Sequence, residues 1–163
     1  MNRPIKKIIE VAKASKKKSQ IDKIKILFLC TGNSCRSQMA EGLARKLKGN
    51  SLQVYSAGIQ AHGLNPRAVK VMDEIGIDIN QQHSKKVEEV LNIPFDFVIT
   101  VCGHAHENCP IFPGKAKIIH VGFQDPPVMA KKFEQEEDKL NCYRTIRDQI
   151  KAQIEQFIRA CPP

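Results

Sequence analysis

Cys30-Thr31-Gly32-Asn33-Ser34-Cys35-Arg36-Ser37 sets a cysteine and an arginine on either side of five small residues. Such a loop can wrap so that its backbone N–H groups converge on an oxyanion, and a helix beginning at its end adds partial positive charge. Arg36 can hold two oxygens with its planar fork. The same field favours a thiolate at Cys30, and the thiolate is the nucleophilic form of cysteine. Ser37 can donate a hydrogen bond to that sulfur. Asn33 can take a left-handed backbone conformation and tie the loop together. The stretch therefore reads as an oxyanion site lined by Thr31, Gly32, Asn33, Ser34, Cys35 and Arg36. A bare Cys-x5-Arg is equally well a structural cysteine near a turn; the full string between a strand and a helix argues against that.

Two further stretches carry reactive residues. Asp125-Pro126 is by itself a common turn, with a carboxylate at its start. Cys102-Gly103-His104-Ala105-His106-Glu107-Asn108-Cys109 holds two cysteines seven positions apart. Its alternating Cys and His also form a ligand-rich cluster that zinc could use. That spacing would crowd the ligands on one side, so no metal or other cofactor is expected. A pair of structural free cysteines is the remaining reading.

These residues need elements to position them. Ile24–Cys30 is an apolar run of strand length, and the helix after it shows Met39, Ala40, Leu43, Ala44 and Leu47 at helical spacing, stopped by Gly49-Asn50. Leu52–Ser56 is a second strand. Asn65-Pro66 opens a helix as cap and first position, and Gly76 closes it. Ser84 is expected to cap a shorter helix through Leu91. Phe95–Cys102 and Lys117–Val121 are the third and fourth strands. A helix from about 138 to 160 carries Ile146, Ile150, Ile154 and Phe157 on one face. Strands alternating with helices predict an α/β domain over 24–163, a four-stranded parallel sheet with helices on both faces. Ligands in such folds bind beyond the carboxyl ends of the strands, where Cys30 and Cys102 both fall.

Composition narrows the class. The 163 residues suit one domain, and 42% hydrophobic residues can build its core. No apolar run approaches the roughly 18 residues of a membrane span, and the basic start lacks the apolar stretch of a secretion signal. The expectation is a cytoplasmic protein without membrane contact, in which six cysteines serve chemistry rather than a disulfide framework. Residues 1–25 hold nine Lys/Arg against two acids, leaving only +2 of the +9 net charge for the rest. The basicity belongs to an extension over 1–23, read as solvated or as a short helix around Ile5, Ile8 and Ile9, and not as a nucleic-acid surface.

The Cys30–Ser37 string resembles the loop of the low-molecular-weight protein tyrosine phosphatase family. The resemblance implies that Cys30 is the nucleophile, Arg36 the oxyanion clamp, Ser37 the partner of the thiolate and Asp125 the acid. Pro127 departs from the aromatic residue those phosphatases place after Asp-Pro. Gln38-Met39-Ala40-Glu41-Gly42, Tyr55-Ser56-Ala57-Gly58, His62-Gly63, Asn65-Pro66, Gly122-Phe123 and the Cys102/Cys109 pair resemble the family's thioredoxin-coupled arsenate reductases. This implies reduction of arsenate to arsenite through a Cys30–Cys102–Cys109 thiol relay, with thioredoxin as the reductant and a segment between Cys102 and Cys109 that rearranges. Some members bind potassium at positions corresponding to Asn33, Glu41, Ser56 and Lys85. An ammonium at the fourth repels such a cation and can stand in for it, so no potassium site is expected. The alternatives are a phosphatase acting on phosphate monoesters and a non-catalytic anion- or partner-binding protein. Cys142 and Cys161 are given no role.

Overall fold

The computed structural model describes residues 23–160. The expected extension, but for Lys23, and Cys161 therefore lie outside the described residues. Strand β1 (Ile24–Cys30) is followed by helix α1 (Arg36–Lys48), β2 (Leu52–Gly58) and α2 (Pro66–Asp73). A single 3₁₀ turn (Val87–Val90), β3 (Phe97–Thr100), α3 (Gly103–Glu107), β4 (Lys117–His120), α4 (Pro126–Ala130) and α5 (Glu136–Ala160) complete the order. The four strands form one parallel sheet in the order β2-β1-β3-β4.

Ile26, Leu27, Phe28 and Leu29 of β1 are all buried. Successive strand residues point to opposite faces, so both faces of the sheet are covered, as the continuous apolar run predicts. Met39, Ala40, Leu43 and Ala44 of α1 are buried as expected, whereas Leu47 is 40% exposed near the helix end. Helix α5 buries Leu140, Tyr143, Ile146, Ile150, Ile154 and Phe157, one stripe at helical spacing. Its Phe157 meets Phe97 of β3 edge to face, with centroids 5.3 Å apart.

Several local expectations are corrected. β3 stops at Thr100, so Cys102 is the N-cap of α3 rather than the end of a strand. Residues 103–107, within the segment that the resemblance implies to rearrange, form a short helix. His106 N donates to the Cys102 carbonyl at 3.1 Å, and Asn108 closes the turn through backbone and side-chain bonds to the His104 carbonyl. The helix foreseen after Ser84 shrinks to one 3₁₀ turn, and the Ser84 hydroxyl donates to the Gly32 carbonyl instead. Helix α4 was not foreseen, because two consecutive prolines read as a turn; both sit in its first turn, where a missing N–H costs nothing.

The order β2-β1-β3-β4 makes the chain leave β1 in one direction and return on its other side. The crevice at that switch point lies beyond the ends of β1 and β3, which pair in register from Ile26↔Phe97 to Leu29↔Thr100. On the outer side of this edge the His106 and His120 rings stack with centroids 4.4 Å apart, and Thr100 Oγ1 lies 2.9 Å from His120 Nδ1. Burial first, then the neighbouring His106, push His120 below its ordinary value of 6.5.

Two predictions follow from packing and charge. Asn65 caps α2, its side chain accepting from Arg67 N at 2.9 Å and Ala68 N at 3.4 Å while donating to the Tyr143 hydroxyl at 3.2 Å. Asn65→Ala should cost about 1 kcal/mol in a urea denaturation series, and an unchanged midpoint would contradict the cap's importance. The second concerns pH. A histidine depressed in the fold binds fewer protons there than in the unfolded chain, so its contribution is present above 6.5 and lost as pH falls below it. His120→Gln should therefore flatten part of the fall in urea midpoint below that pH; parallel slopes for both proteins would contradict it.

Candidate active site

The loop between β1 and α1 is shaped from outside. Segment 59–65 runs along it and donates from Ile59 N to the Cys30 carbonyl, from Gln60 N to Thr31, from His62 N to Gly32 and from Asn65 N to Ser34, at 2.8–3.1 Å. Gln38 Nε2 takes the Asn33 carbonyl at 3.0 Å. Five successive carbonyls thus point outward. In a trans peptide the N–H points opposite to its carbonyl, so the N–H side of the loop is turned to its inside. Two glycines permit the close approach. A Cβ at Gly58 would lie 2.7 Å from Asn33 N and 2.8 Å from the Thr31 carbonyl, and one at Gly32 would lie 2.4 Å from the His62 ring.

Asn33 sits at φ +45° and is fully buried. Its Nδ2 donates to Ser37 Oγ and to Ser56 Oγ, each at 2.9 Å, and its Oδ1 accepts from Lys85 N at 2.8 Å. Because Ser37 accepts from Asn33, its own hydroxyl proton is free for Cys30 Sγ, 2.8 Å away. Ser56 in turn donates to the buried Glu41, whose other oxygen pairs with Arg45 at 2.6 Å. Lys85 Nζ donates to the carbonyls of Ser56 and His83, each at 3.0 Å. Burial lowers its pKa, and the charge of Glu41 opposes that shift. A positive charge of the chain's own thus stands against Ser56, within the field of Glu41.

Arg36 begins α1 and reaches across the crevice. Its Nη1 donates to the Phe123 carbonyl at 3.0 Å and its Nη2 pairs with Asp125 at 3.2 Å. Arg36 is 12% exposed and Asp125 36%, so the guanidinium is largely enclosed while the carboxylate faces the opening. Asp125 is the N-cap of α4 and makes no side-chain cap bond, leaving its carboxylate for the site. Cys35, the second cysteine of the loop, is buried; burial first, and then Asp125, push its thiol up to about 12.

Cys102 is brought to the same crevice by the β1–β3 pairing. Its Sγ lies 3.3 Å from Thr31 Oγ1 and accepts from Ala105 N at 3.4 Å. Cys109 lies beyond α3, half-buried, and burial raises its pKa. Cys30, Cys35, Cys102, Cys109 and Cys142 are all free thiols. Among the described residues no three His, Cys, Asp or Glu side chains converge as a metal would require, because α3 spreads its histidines around a helix.

Every residue singled out in the loop, with Asp125 and Cys102, thus falls at one sheet edge, and Cys109 lies one short helix away. Sequence reasoning missed Ser84, Gln82 and His104. Gln82 holds the Gln38 side chain that ties down Asn33. His104 Nδ1 lies 3.3 Å from Thr31 Oγ1. Only His104 carried a signal, its place between the two cysteines, and that was weighed as a zinc ligand.

Among the described residues no helix is long and apolar enough to cross a membrane. The model of the family "Low molecular weight phosphotyrosine protein phosphatase" matches residues 25–161. An arsenate reductase of Halalkalibacterium halodurans is 51% identical over 132 residues, covering 81% of this chain and 93% of its own. One of Bacillus subtilis is 48% identical over the same shares. Among solved structures, an arsenate reductase in the phosphate binding state superposes with a TM-score of 0.64 at 33% identity, covering 85% of this chain and 99% of that one. A low molecular weight protein tyrosine phosphatase from T. tengcongensis superposes at 0.65 with 27% identity, covering 83% and 98%. By the match over residues 25–161 and the identity to these relatives, the chain belongs to the low molecular weight phosphotyrosine protein phosphatase family and groups with its arsenate reductases.

Proposed function

We propose that the chain reduces arsenate to arsenite through a relay of Cys30, Cys102 and Cys109, regenerated by a dithiol protein of the thioredoxin type. The observation that carries the reading is the placing of Cys102 against Thr31 of the anion loop, with Cys109 held off by a helix. A phosphate-ester hydrolase has no use for either cysteine. Relatives at about half identity bear the name arsenate reductase.

On this reading arsenate occupies the inward N–H groups of residues 31–36. Arg36, with donors beyond the two engaged by Phe123 and Asp125, clamps its oxygens. The Cys30 thiolate, with Ser37 donating to it, attacks arsenic. Asp125 passes a proton to the departing hydroxyl of arsenate, which leaves as water. Cys102 then attacks the Cys30 sulfur. An S–S bond forms, the S–As bond breaks, and its electron pair takes arsenic from As(V) to As(III). Arsenite leaves. Cys109 attacks Cys102, freeing the Cys30 thiolate and leaving a Cys102–Cys109 disulfide for the external dithiol to reduce.

Three features support this order of events. Cys35 is held as a thiol by burial, so it competes poorly for the Cys30 sulfur. Helix α3 stands between the two cysteines, and a disulfide accepts only roughly 4.4–6.8 Å between Cα atoms, so on this reading α3 unwinds for Cys109 to close on Cys102. Its five residues and exposed histidines make that unwinding inexpensive. The reading assigns the protein to the cytoplasm, where such thiols are kept reduced. Phosphate-ester hydrolysis is the second reading, as a side activity, because it shares the first step and the loop; Pro127 offers no ring to hold a phosphotyrosine.

The test is an assay of arsenate with thioredoxin, thioredoxin reductase and NADPH beside one of a phosphate ester. Cys30→Ser should abolish both activities. Cys102→Ser and Cys109→Ser should each end arsenate-dependent NADPH loss. Equal loss of the two activities in Cys102→Ser, with the fold intact, would mean that Cys102 is structural.

A further inference from the structure

Thr31 stands between two groups that can exchange a proton. Its Oγ1 is 3.3 Å from Cys102 Sγ and 3.3 Å from His104 Nδ1. A hydroxyl gives one hydrogen bond and accepts others. With the Cys102 thiol donating to Thr31 and the Thr31 hydroxyl donating to His104, the three form one directed chain. Its sulfur end is buried at 4% exposure, and its imidazole end is exposed. A proton leaving the buried thiol thus has a route to the exposed imidazole.

The other groups around this chain fit the same direction. Ala105 N donates to Cys102 Sγ at 3.4 Å, a bond the sulfur can keep as its proton leaves. The His104 carbonyl accepts from Asn108 N and Nδ2 at 3.1 and 2.8 Å, which anchors the residue. His106 turns elsewhere, stacked on His120 and 3.4 Å from Thr100 Oγ1. His104 is therefore the imidazole that serves Thr31.

We propose that His104 is the proton acceptor for Cys102, acting through Thr31 as a positioning and proton-relaying residue of the second step. The proposal rests on the relay reading above. The Cys102 proton passes to Thr31 Oγ1 while the Thr31 hydroxyl proton passes to Nδ1 of the neutral ring, whose own proton is on Nε2. The Cys102 thiolate so formed attacks Cys30 Sγ. The S–S bond forms, the S–As bond breaks, and its pair reduces arsenic as the two sulfurs are oxidised. The imidazolium then yields its proton to solvent at its exposed side.

The test uses the full chain carrying Cys109→Ser, in which one arsenate turnover stops at the Cys30–Cys102 disulfide. The rate of that disulfide's formation is read by rapid quenching and peptide mapping. His104→Gln keeps an acceptor for Thr31 but cannot take the proton, and should slow the step roughly tenfold or more. His104→Ala should be comparably slow and should regain rate when free imidazole is added, which a packing role would not produce. A His104→Gln rate within about twofold of the parent, or His104→Ala unmoved by imidazole, would overturn the proposal. Absence of the Cys30–Cys102 disulfide in the parent with His104 intact is a different result: it sinks the relay reading and this inference with it.

Discussion

Asn33 spends its side-chain hydrogen bonds on holding one backbone conformation. It is fully buried at φ +45°, a region that costs a non-glycine residue about 1–2 kcal/mol. Ser37, Ser56, Lys85 N and Gln38 together offset that cost by pairing its side-chain amide and its backbone carbonyl. Removing one partner from such a buried group would cost about 1–3 kcal/mol. The same bonds decide two further things. They leave the Ser37 proton to the Cys30 sulfur, and they hold the Asn33 carbonyl outward with its neighbours so that the loop's N–H side faces in. Anion binding and nucleophile orientation therefore depend on one buried amide, braced from behind by Glu41 and Lys85.

The second cysteine depends on the sheet. β1 and β3 pair side by side and both stop at the switch point, so the residues just past them meet without any further device. Thr31 and Cys102 are that meeting. Two cysteines flank Cys30 in different ways. Cys35 is close in sequence but buried as a thiol, whereas Cys102 has a hydroxyl and a backbone N–H at its sulfur. The proposed order of thiol exchange follows this chemical difference rather than sequence proximity.

Much of this was legible in the sequence. The alternation of apolar runs and helical stripes predicted the parallel sheet, because the central strands β1 and β3 are buried on both faces and helices α1 and α5 bury one stripe each. The loop was legible because Cys30, Asn33, Arg36 and Ser37 have few other reasons to stand at that spacing. What was not legible depends on tertiary contact. Ser84 reads as a helix cap until the Gly32 carbonyl is placed beside it. The 103–107 segment is polar and short, so its helix comes from the Cys102 cap and Asn108 rather than from an apolar stripe. His104 had no reading beyond the zinc cluster that its spacing argued against, because its neighbour Thr31 is remote in sequence.

The central claim is that electrons leave the oxyanion site by way of Cys102 and end on Cys109. Reduced protein given one equivalent of arsenate without reductant, then quenched and mapped by peptide mass, tests it directly. The account predicts Cys102 joined to Cys109, with Cys30 recovered as a free thiol. Cys30 joined to Cys35 as the dominant product would contradict it, because the exchange would then be confined to the loop and Cys102 and Cys109 would carry no electrons.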